Sequence, residues 1–496
     1  MAFDTGGIER GADGIARYTD RPASLVAMLR ATVDRTPDAE AIVELGGPRL
    51  TYQQLWDGAA RVAGGLKARG VGADDRVAIR LGNGADWVRA FWGAQLLGAV
   101  VVPVNTRFAS SEARYVLDDS GASYVFEDGT PLPDGEPFVA EGARPDDLAA
   151  IFYTSGTTGF PKGAMLTHAN FLSNCETARR VVDLPRDSAL RTLVSVPLFH
   201  VTGCNSQLLV ACELGGTTVI MPAFEVTAFL EAIAAERIDL LTTVPAIYWL
   251  AISRPEFADT DVSSVRWASY GGAPIAPDLV RRIMEAFPNA RVGNGFGLTE
   301  CSSIATFLPH EHAHSRPETV GFAAPVVDLD IADPDAEGAG ELLIRGPNVC
   351  AGYWNKPEQT AETFADGWLR TGDIARIDGD GFVQIVDRKK DMINRGGENV
   401  YCVEVENALA ACPGVGEVAV VGVADKMMGE KVGAVLVPAP GSEFDVAVVI
   451  ERAREQLADF KVPQYVVVRT EPLPRNPGGK VLKAQLHDGA WEAVGR

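Results

Sequence analysis

The chain lacks the features that mark a secreted, disulfide-bonded or membrane-spanning protein. Its seven cysteines (Cys175, Cys204, Cys212, Cys301, Cys350, Cys402 and Cys412) are odd in number and include no CxxC pair. That pattern excludes a disulfide framework and a thiolate zinc site, and points to reduced thiols. Asp4, Glu9 and Asp13 stand where a secretory leader has its apolar stretch, and no apolar run approaches the roughly 20 residues of a spanning helix. Positive charge is scarce, with 45 Lys and Arg against 66 Asp and Glu, a net charge of −21 and a pI of about 4.8. Such a field repels nucleic acid and anionic membrane, so any polyanionic ligand needs a locally built positive site. A cytoplasmic protein is expected, with no nucleic-acid partner and no integral membrane association. Internal repeats and low-complexity tracts are absent too. The 496 residues, 47% of them hydrophobic, suffice for about three domains or subdomains.

What is present is an alternation of two periodicities. Leu55, Ala59, Val62 and Leu66 share one helical face after a potential cap at Thr51, and Gly70 stops the run. Val77, Ile79 and Leu81 follow with strand spacing, then a helical set of Val88, Phe91, Trp92 and Leu96, then a β-branched run over 100–104. Further short strands are expected at 123–126, 193–196 and 238–244. Strand and helix in alternation predict an α/β domain with largely parallel strands. The character changes near 388, after the Gly- and Asp-rich stretch 378–381. Beyond it the pattern predicts a helix over 403–411, strands over 415–423 and 432–437, a helix over 446–458 and a strand over 465–468. The expected architecture is a large multi-subdomain α/β domain over 1–388 and a small α+β domain over 389–496.

Four segments carry chemistry. In Tyr153-Thr-Ser-Gly-Thr-Thr-Gly-Phe-Pro-Lys-Gly163 the glycines let backbone approach a ligand, while hydroxyls and Lys162 supply donors and charge. That composition suits a polyphosphate, although Lys162 is followed by Gly163 and not by the Ser or Thr of a Walker A loop. Gly293-Asn-Gly-Phe-Gly-Leu-Thr-Glu300 has GxGxG spacing and so misses the dinucleotide fingerprint. Thr299 and Glu300 suit phosphate and a hard divalent cation; alone, the segment reads equally as a Gly-rich strand end. Thr371-Gly-Asp373 places a carboxylate that suits ribose hydroxyls. It is followed by Asp387-Arg-Lys-Lys-Asp391, which also reads as a solvated interdomain turn, and by Arg395-Gly-Gly-Glu398. Last comes Pro474-Arg-Asn-Pro-Gly-Gly-Lys480, a flexible segment able to deliver an ammonium, or a plain surface turn. His310, His312 and His314 alternate, but their proline and charged neighbours indicate a solvated loop without function.

In this order and over this length, residues 25–485, these segments resemble the adenylate-forming superfamily of acyl-CoA synthetases, firefly-type luciferases and peptide-synthetase adenylation domains. The resemblance implies that Thr154, Ser155, Gly156, Thr157, Thr158 and Gly159 with Lys162 wrap the ATP phosphates. It implies that Gly271, Gly272 and Ala273 line the adenine and acyl site, beside Asn294, Gly295 and Phe296. Phe296 stacks on adenine where the family usually has Tyr. It further implies Thr299 on phosphate, Glu300 on Mg²⁺, Asp373 and Arg388 on ribose, and Lys390 as the hinge between domains. Lys480 is implied as the catalytic lysine of adenylation, and Gly396 and Gly397 as facing the pantetheine of coenzyme A. Cys402 stands where the family often has Pro.

The implied chemistry is ATP-dependent acyl-CoA ligation through an acyl-adenylate. A carboxylate resists thiolate attack, whereas its mixed anhydride with AMP has a good leaving group. His200 follows Phe199 where amino-acid-activating relatives carry an Asp, and no carboxylate lies near it in sequence. That argues against an amino acid substrate and makes His200 the second catalytic candidate. Val201, Thr202, Gly203 and Cys204 are expected to line the acyl pocket, with Cys301, Ser302 and Ser303. None is charged, and Thr202 and Gly203 are small, which favours a medium- to long-chain fatty acid. An aryl acid of the cinnamate or benzoate type is the runner-up. Transfer to a carrier protein, a luciferase-like oxygenase and a nucleotide-binding regulator remain as other readings.

Overall fold

The computed structural model describes residues 3–154, 160–186, 189–396, 398–439, 441–475, 481–487 and 491–494. The chain divides into two compact units. The first comprises Met1–Asp330, Leu343–Arg370 and Gly379–Val383; the second comprises Ile331–Leu342, Thr371–Asp378 and Gln384–Arg496. Among the described residues, no helix is long and apolar enough to cross a membrane. All seven cysteines are buried and free.

In the first unit, helix Tyr52–Ala68 begins at Thr51 through a reciprocal cap. Thr51 Oγ1 accepts from the Gln54 amide at 3.2 Å while Gln54 Oε1 accepts from the Thr51 amide at 3.0 Å. Leu55, Ala59, Val62 and Leu66 are buried, and Gly70, at φ +85°, turns the chain out of the helix. Helix Ala85–Leu97 is buried on nearly all sides, including Trp87, Phe91 and Trp92, as an element apolar all round must be. It approaches helix Tyr52–Ala68 at Gly93, where an added Cβ would lie 2.5 Å from Val62 Cγ1.

Two sheets organise this unit. Tyr124–Glu127, Arg76–Arg80, Val100–Pro103 and Leu148–Thr154 run parallel in that spatial order, and Lys162–Thr167 returns antiparallel beside the last. The nine-stranded sheet has a parallel centre in the order Arg291–Phe296, Trp267–Gly271, Leu240–Thr243, Arg191–Val194, Thr217–Ile220 and Glu40–Glu44, with antiparallel strands at both edges. From Arg191–Val194 the chain crosses to Thr217–Ile220 on one side and then to Leu240–Thr243 on the other. Crossovers therefore diverge beyond Val194, the kind of switch point where open α/β sheets bind ligands. Leu193, Leu241, Ala268 and Val292 line one face of the sheet in register. They pack with Phe229, Tyr248 and Ile283 from the covering helices, each large apolar side chain contributing about 1.5–3 kcal/mol.

The second unit contains a six-stranded sheet that includes Val415–Asp425, Gly429–Pro438 and Tyr465–Val468. Helices Cys402–Ala410 and Val446–Gln456 bury Val405, Leu409, Val449 and Ile450 against Val420 and Leu436. The order of elements expected beyond 388 is thus present. One expectation is corrected. His310–Ala313 is a short helix, not a solvated loop. His310 Nδ1 accepts from the Val292 amide at 3.0 Å, and the His312 ring meets Phe322 and Phe382 edge-on at 5.6 and 5.1 Å. Nearby aromatic rings, distant in sequence, give this polar stretch a partly buried face.

Candidate active site

The strand pair flanking the expected phosphate loop is set by close packing. Thr154 pairs with Lys162 across the two strands, and an added Cβ at Gly163 would lie 2.6 Å from Ile151 Cγ2, so only glycine lets the strands meet there. Tyr153 donates to Asp119 Oδ2 at 2.7 Å, and Lys356 Nζ reaches Asp119 Oδ1 at 3.0 Å. Asp119 thereby ties helix Ser110–Ser120 to the hairpin and to the segment after 353. Phe160 is exposed and stacks on Tyr115 of the same helix, centroids 4.4 Å apart.

The segment 350–354 runs between this hairpin and the Glu300 turn. Ala351 donates to Met165 O at 3.0 Å, Met165 to Gly352 O at 2.9 Å and Trp354 to Gly163 O at 2.8 Å, while the Cys350 amide donates to Glu300 O at 2.8 Å. Tyr353 O–H donates to Glu300 Oε1 at 2.7 Å. Lys162 Nζ lies 5.0 Å from the centroid of the same ring, within cation–π range. Burial and the Glu300 charge push the Tyr353 phenol well above its ordinary pKa, so it stays a donor. Lys162 and Glu300, 138 residues apart in sequence, are thus joined by one side chain.

A neutral polar network holds the turn that carries Glu300. Ser302 and Ser303 have positive φ, 62° and 125°, a cost accepted only where surroundings over-determine it. Asn348 Nδ2 donates to Cys301 O and Ile304 O at 3.2 and 3.0 Å, and Ser302 Oγ donates to Asn348 O at 2.8 Å. Asn174 Oδ1 accepts from the Ile304 amide at 2.9 Å, Ser206 and Ser303 hydroxyls meet at 2.6 Å, and Asn205 donates to Ser302 O. Asn205 and Ser206 lie on a π-helical turn, Cys204–Leu209, an irregularity frequent at functional sites. These bonds hold Asn205 and Ser206, which directly follow the expected acyl stretch 201–204, against Ser302 and Ser303 of the other.

Gly203 corrects an expectation about that stretch. An added Cβ would meet Pro197 O at 2.4 Å, so its smallness serves a close backbone approach and does not enlarge a pocket. His200 is the N-cap residue of this helical run, just beyond the switch point at Val194. Burial first, and then the Arg107 charge, lowers its pKa to about 4, leaving a neutral ring at neutral pH. Its Nε2 is shielded from solvent and has no hydrogen-bond partner among the described residues.

Of the remaining expected residues in this unit, Gly271 and Gly295 are register partners on adjacent strands, and a Cβ at Gly271 would lie 2.2 Å from Gly295 O. Gly272, at φ +75°, and Ala273 follow, both exposed. Asn294 is buried and donates to Thr319 O at 3.3 Å, which makes its amide a strut. Phe296, the last residue of its strand, and Thr299, in the short turn beyond it, are both half-buried.

In the second unit, Arg388 Nε lies 2.7 Å from Asp373 Oδ1, and Asp373 is buried. Gly372, at φ +68°, accepts from the Lys389 amide at 2.9 Å, and Lys389 Nζ reaches Glu341 Oε2 at 3.0 Å. The Lys390 ammonium is lowered from its ordinary pKa, by burial first, and lies 3.8 Å from Asp391. Beneath them, burial raises the Asp387 carboxyl to about 6; it accepts from the Arg388 and Cys402 amides. Cys402 Sγ donates to Asp391 O at 3.0 Å, filling with a thiol the position where proline is usual. Lys483 Nζ pairs with Glu406 at 2.7 Å; burial alone would depress this ammonium, but the Glu406 charge raises it above its ordinary value. Gly396, at φ +63°, donates to Met428 O at 2.7 Å. Ser155, Gly156, Thr157, Thr158, Gly159, Gly397 and Lys480 lie outside the described residues.

Sequence reasoning missed Tyr353, Asn348, Asn174 and Lys483. For Tyr353 and Asn348 the available signal was the run Gly346-Pro-Asn-Val-Cys-Ala-Gly-Tyr-Trp-Asn355, in which small and turn residues frame two aromatics.

The fold is a mixed α/β architecture with a large and a small unit, and comparison with known proteins identifies its family. The family model of the AMP-binding enzyme matches residues 29–137 and 127–354, and that of the AMP-binding enzyme C-terminal domain matches 404–480. Feruloyl-CoA synthase of Amycolatopsis sp is 38% identical over 478 residues, covering 91% of this chain and 96% of that protein. A long-chain-fatty-acid–CoA ligase of Mycobacterium tuberculosis is 35% identical over 497 residues, covering 93% and 97%. Among solved structures, o-succinylbenzoate CoA synthetase from Bacillus subtilis in complex with its acyl-adenylate intermediate superposes with a TM-score of 0.85 at 28% identity, over 94% of this chain and 99% of that one. ATP-bound MatB from Rhodopseudomonas palustris gives 0.83 at 31% identity, over 93% and 98%. The chain belongs to the AMP-binding enzyme family.

Proposed function

We propose that this chain is an AMP-forming acid–thiol ligase, which joins an uncharged, apolar carboxylic acid to coenzyme A through an acyl-adenylate. The observation that carries this reading is the union of Lys162 and Glu300 at Tyr353, beside the hairpin of the phosphate loop. A lysine and a carboxylate so held suit a polyphosphate and its divalent cation. In the first half-reaction the carboxylate oxygen attacks the α-phosphorus, the bond to the bridging oxygen breaks, and pyrophosphate leaves. Lys162 and the loop donors stabilise charge on the departing oxygens, at up to about 3 kcal/mol for each well-placed donor. In the second, the thiol of coenzyme A gives up its proton to solvent, its sulfur attacks the acyl carbonyl carbon, and AMP leaves with the electron pair of the broken C–O bond.

The donor set fits Mg²⁺. Tyr353 occupies Glu300 Oε1, leaving the other carboxylate oxygen, and nucleotide-bound Mg²⁺ ordinarily takes one or two carboxylates with phosphate and water completing the shell. When bound, the ion would neutralise negative charge on the phosphate oxygens. Lys480 is assigned to adenylation, Gly396 and Gly397 to the pantetheine, Asp373 and Arg388 to the ribose, and Lys390 to the hinge between a large domain ending near 388 and the small one. The His200 ring, neutral at working pH, is assigned as a hydrogen-bonding group for the acyl end, not as a cation.

The acid is expected to carry no second charge, because the 201–204 and 301–303 stretches offer no ion to pair with it. Since Gly203 serves backbone packing, the argument for spare pocket length falls away. The similarity to feruloyl-CoA synthase then favours an aryl acid, and the similarity to a fatty-acid ligase keeps medium- to long-chain acids as the second reading. Acid-dependent release of pyrophosphate from ATP, measured across aryl, fatty and dicarboxylic acids with and without coenzyme A, decides between them. Malonate or acetate outperforming every apolar acid contradicts both. Acid-dependent release of pyrophosphate with no release of AMP on adding coenzyme A favours a carrier protein as acceptor.

A further inference from the structure

Tyr353 touches both Lys162 and Glu300, the two groups assigned above to the nucleotide's charge. Its position is fixed from three sides. Its amide donates to Thr360 Oγ1 at 2.9 Å, it pairs with Ala164 as an isolated bridge, and its ring meets Phe364 at 5.4 Å. It is 6% exposed, and beside Glu300 its hydroxyl has a second side-chain hydrogen-bond partner in Thr363. The O–H holds one oxygen of Glu300, which turns the second oxygen into the available ligand and prevents free rotation of the carboxylate. The π-face limits where the flexible Lys162 ammonium rests.

We propose that Tyr353 is a positioning residue that couples cation binding at Glu300 to phosphate binding at Lys162. The proposal rests on the ligase reading above. Its two contacts have separable consequences: the hydroxyl acts on the cation, the ring on the phosphates. Tyr353→Phe keeps the ring and removes the hydroxyl, while Tyr353→Leu removes both.

The test is binding, without turnover. Mn²⁺ is titrated into protein saturated with α,β-methylene-ATP and followed by its electron paramagnetic resonance signal; the metal-free analogue is titrated separately by calorimetry. Tyr353→Phe should weaken Mn²⁺ binding about tenfold, as expected for loss of a hydrogen bond to a charged group, and leave the metal-free titration within about twofold of the unsubstituted chain. Tyr353→Leu should weaken both. In a Glu300→Gln background, Tyr353→Phe should produce no further loss of Mn²⁺ affinity, because the coupled partner is already gone. This comparison also removes any general folding effect of the substitution. An unchanged Mn²⁺ affinity in Tyr353→Phe, or an equal added loss in the Glu300→Gln background, overturns the proposal while the ligase reading stands. Failure of the unsubstituted chain to bind the analogue at all overturns that reading, and the proposal with it.

Discussion

The turn after Glu300 and the strand end at Asp387 are both buried and both polar, yet they are held by different kinds of group. Around Glu300 the bonds come from amides and hydroxyls: Asn174, Asn205, Asn348, Ser206 and Ser302. Around Asp387 they come from charges, with Lys483 against Glu406, Arg388 against Asp373, and Asp387 itself raised to about 6. A neutral network keeps its geometry across the pH range in which an enzyme works. A charged one is stronger when complete, but losing one member strands the other in low dielectric. The first unit thus fixes a shape, and the second carries a balance of charges next to the proposed hinge at Lys390.

The comparison breaks most sharply at Lys480. If the segment that carries it serves adenylation alone, Lys480→Ala should lower acid-dependent ATP–pyrophosphate exchange by about two to three orders of magnitude. The same variant should form thioester from supplied acyl-adenylate at close to the normal rate. Equal loss of both half-reactions, measured on one preparation, would remove the assigned role.

Next in size is Lys483→Met, which leaves Glu406 buried without its cation. A stability loss of about 3–5 kcal/mol is expected in denaturant unfolding. The sign of its pH dependence follows from Glu406, whose folded pKa is raised by burial. A raised carboxyl penalises the folded state once it ionises, so the deficit should shrink as pH falls from about 8 toward 5. A deficit constant over that window speaks against a stranded charge.

Asn348→Ala removes donors to two carbonyls of the Glu300 turn. It should cost about 2 kcal/mol, independent of pH over the same window, with kcat falling more than KM rises as Glu300 loses its fixed place. A pH-dependent loss would place Asn348 in a charged network and erase the contrast between the two regions.

Smallest at neutral pH is the effect of His168, whose Nδ1 accepts from the Leu25 amide at 3.3 Å and whose pKa is lowered by burial to about 4. The folded state keeps this ring neutral while the unfolded chain takes up a proton below about 6.5. Its contribution is therefore complete above that pH and is lost as pH falls through 6.5 toward 4, by up to about 3 kcal/mol. Glu213, raised by burial to about 7, titrates with the opposite sign, so the measurement must be a difference. The stability difference between the unsubstituted chain and His168→Gln should shift in the variant's favour by about that amount between neutral and acid pH, so that a small deficit at neutral pH becomes a gain at acid pH. A constant gap contradicts the assignment.

The helices and strands were legible where local chemistry and periodicity agree, as at the Thr51 cap, the buried strand at 77–79 and the succession of elements after 402. Lys162, Glu300 and His200 could be singled out as candidates because each stands in a compact local motif. Tyr353 and Asn348 could not, because their partners lie 53 and 47 residues away and nothing local announces them. Gly203 was misread for a related reason. Whether a missing Cβ leaves room or admits a neighbouring backbone depends on where Pro197 passes, and sequence spacing does not encode that. The histidines at 310 and 312 were read as solvated because their partners lie elsewhere in the sequence, the Val292 amide for His310 and the Phe322 and Phe382 rings for His312.

The most direct test of the account is a single-turnover experiment on the full chain with ATP, Mg²⁺ and an apolar aryl or fatty acid, followed by a chase with coenzyme A. The account predicts roughly stoichiometric pyrophosphate and enzyme-bound acyl-adenylate before the chase, and conversion to acyl-CoA with release of AMP after it. Pyrophosphate that appears without any acid, or an adenylate that coenzyme A cannot discharge, would contradict it.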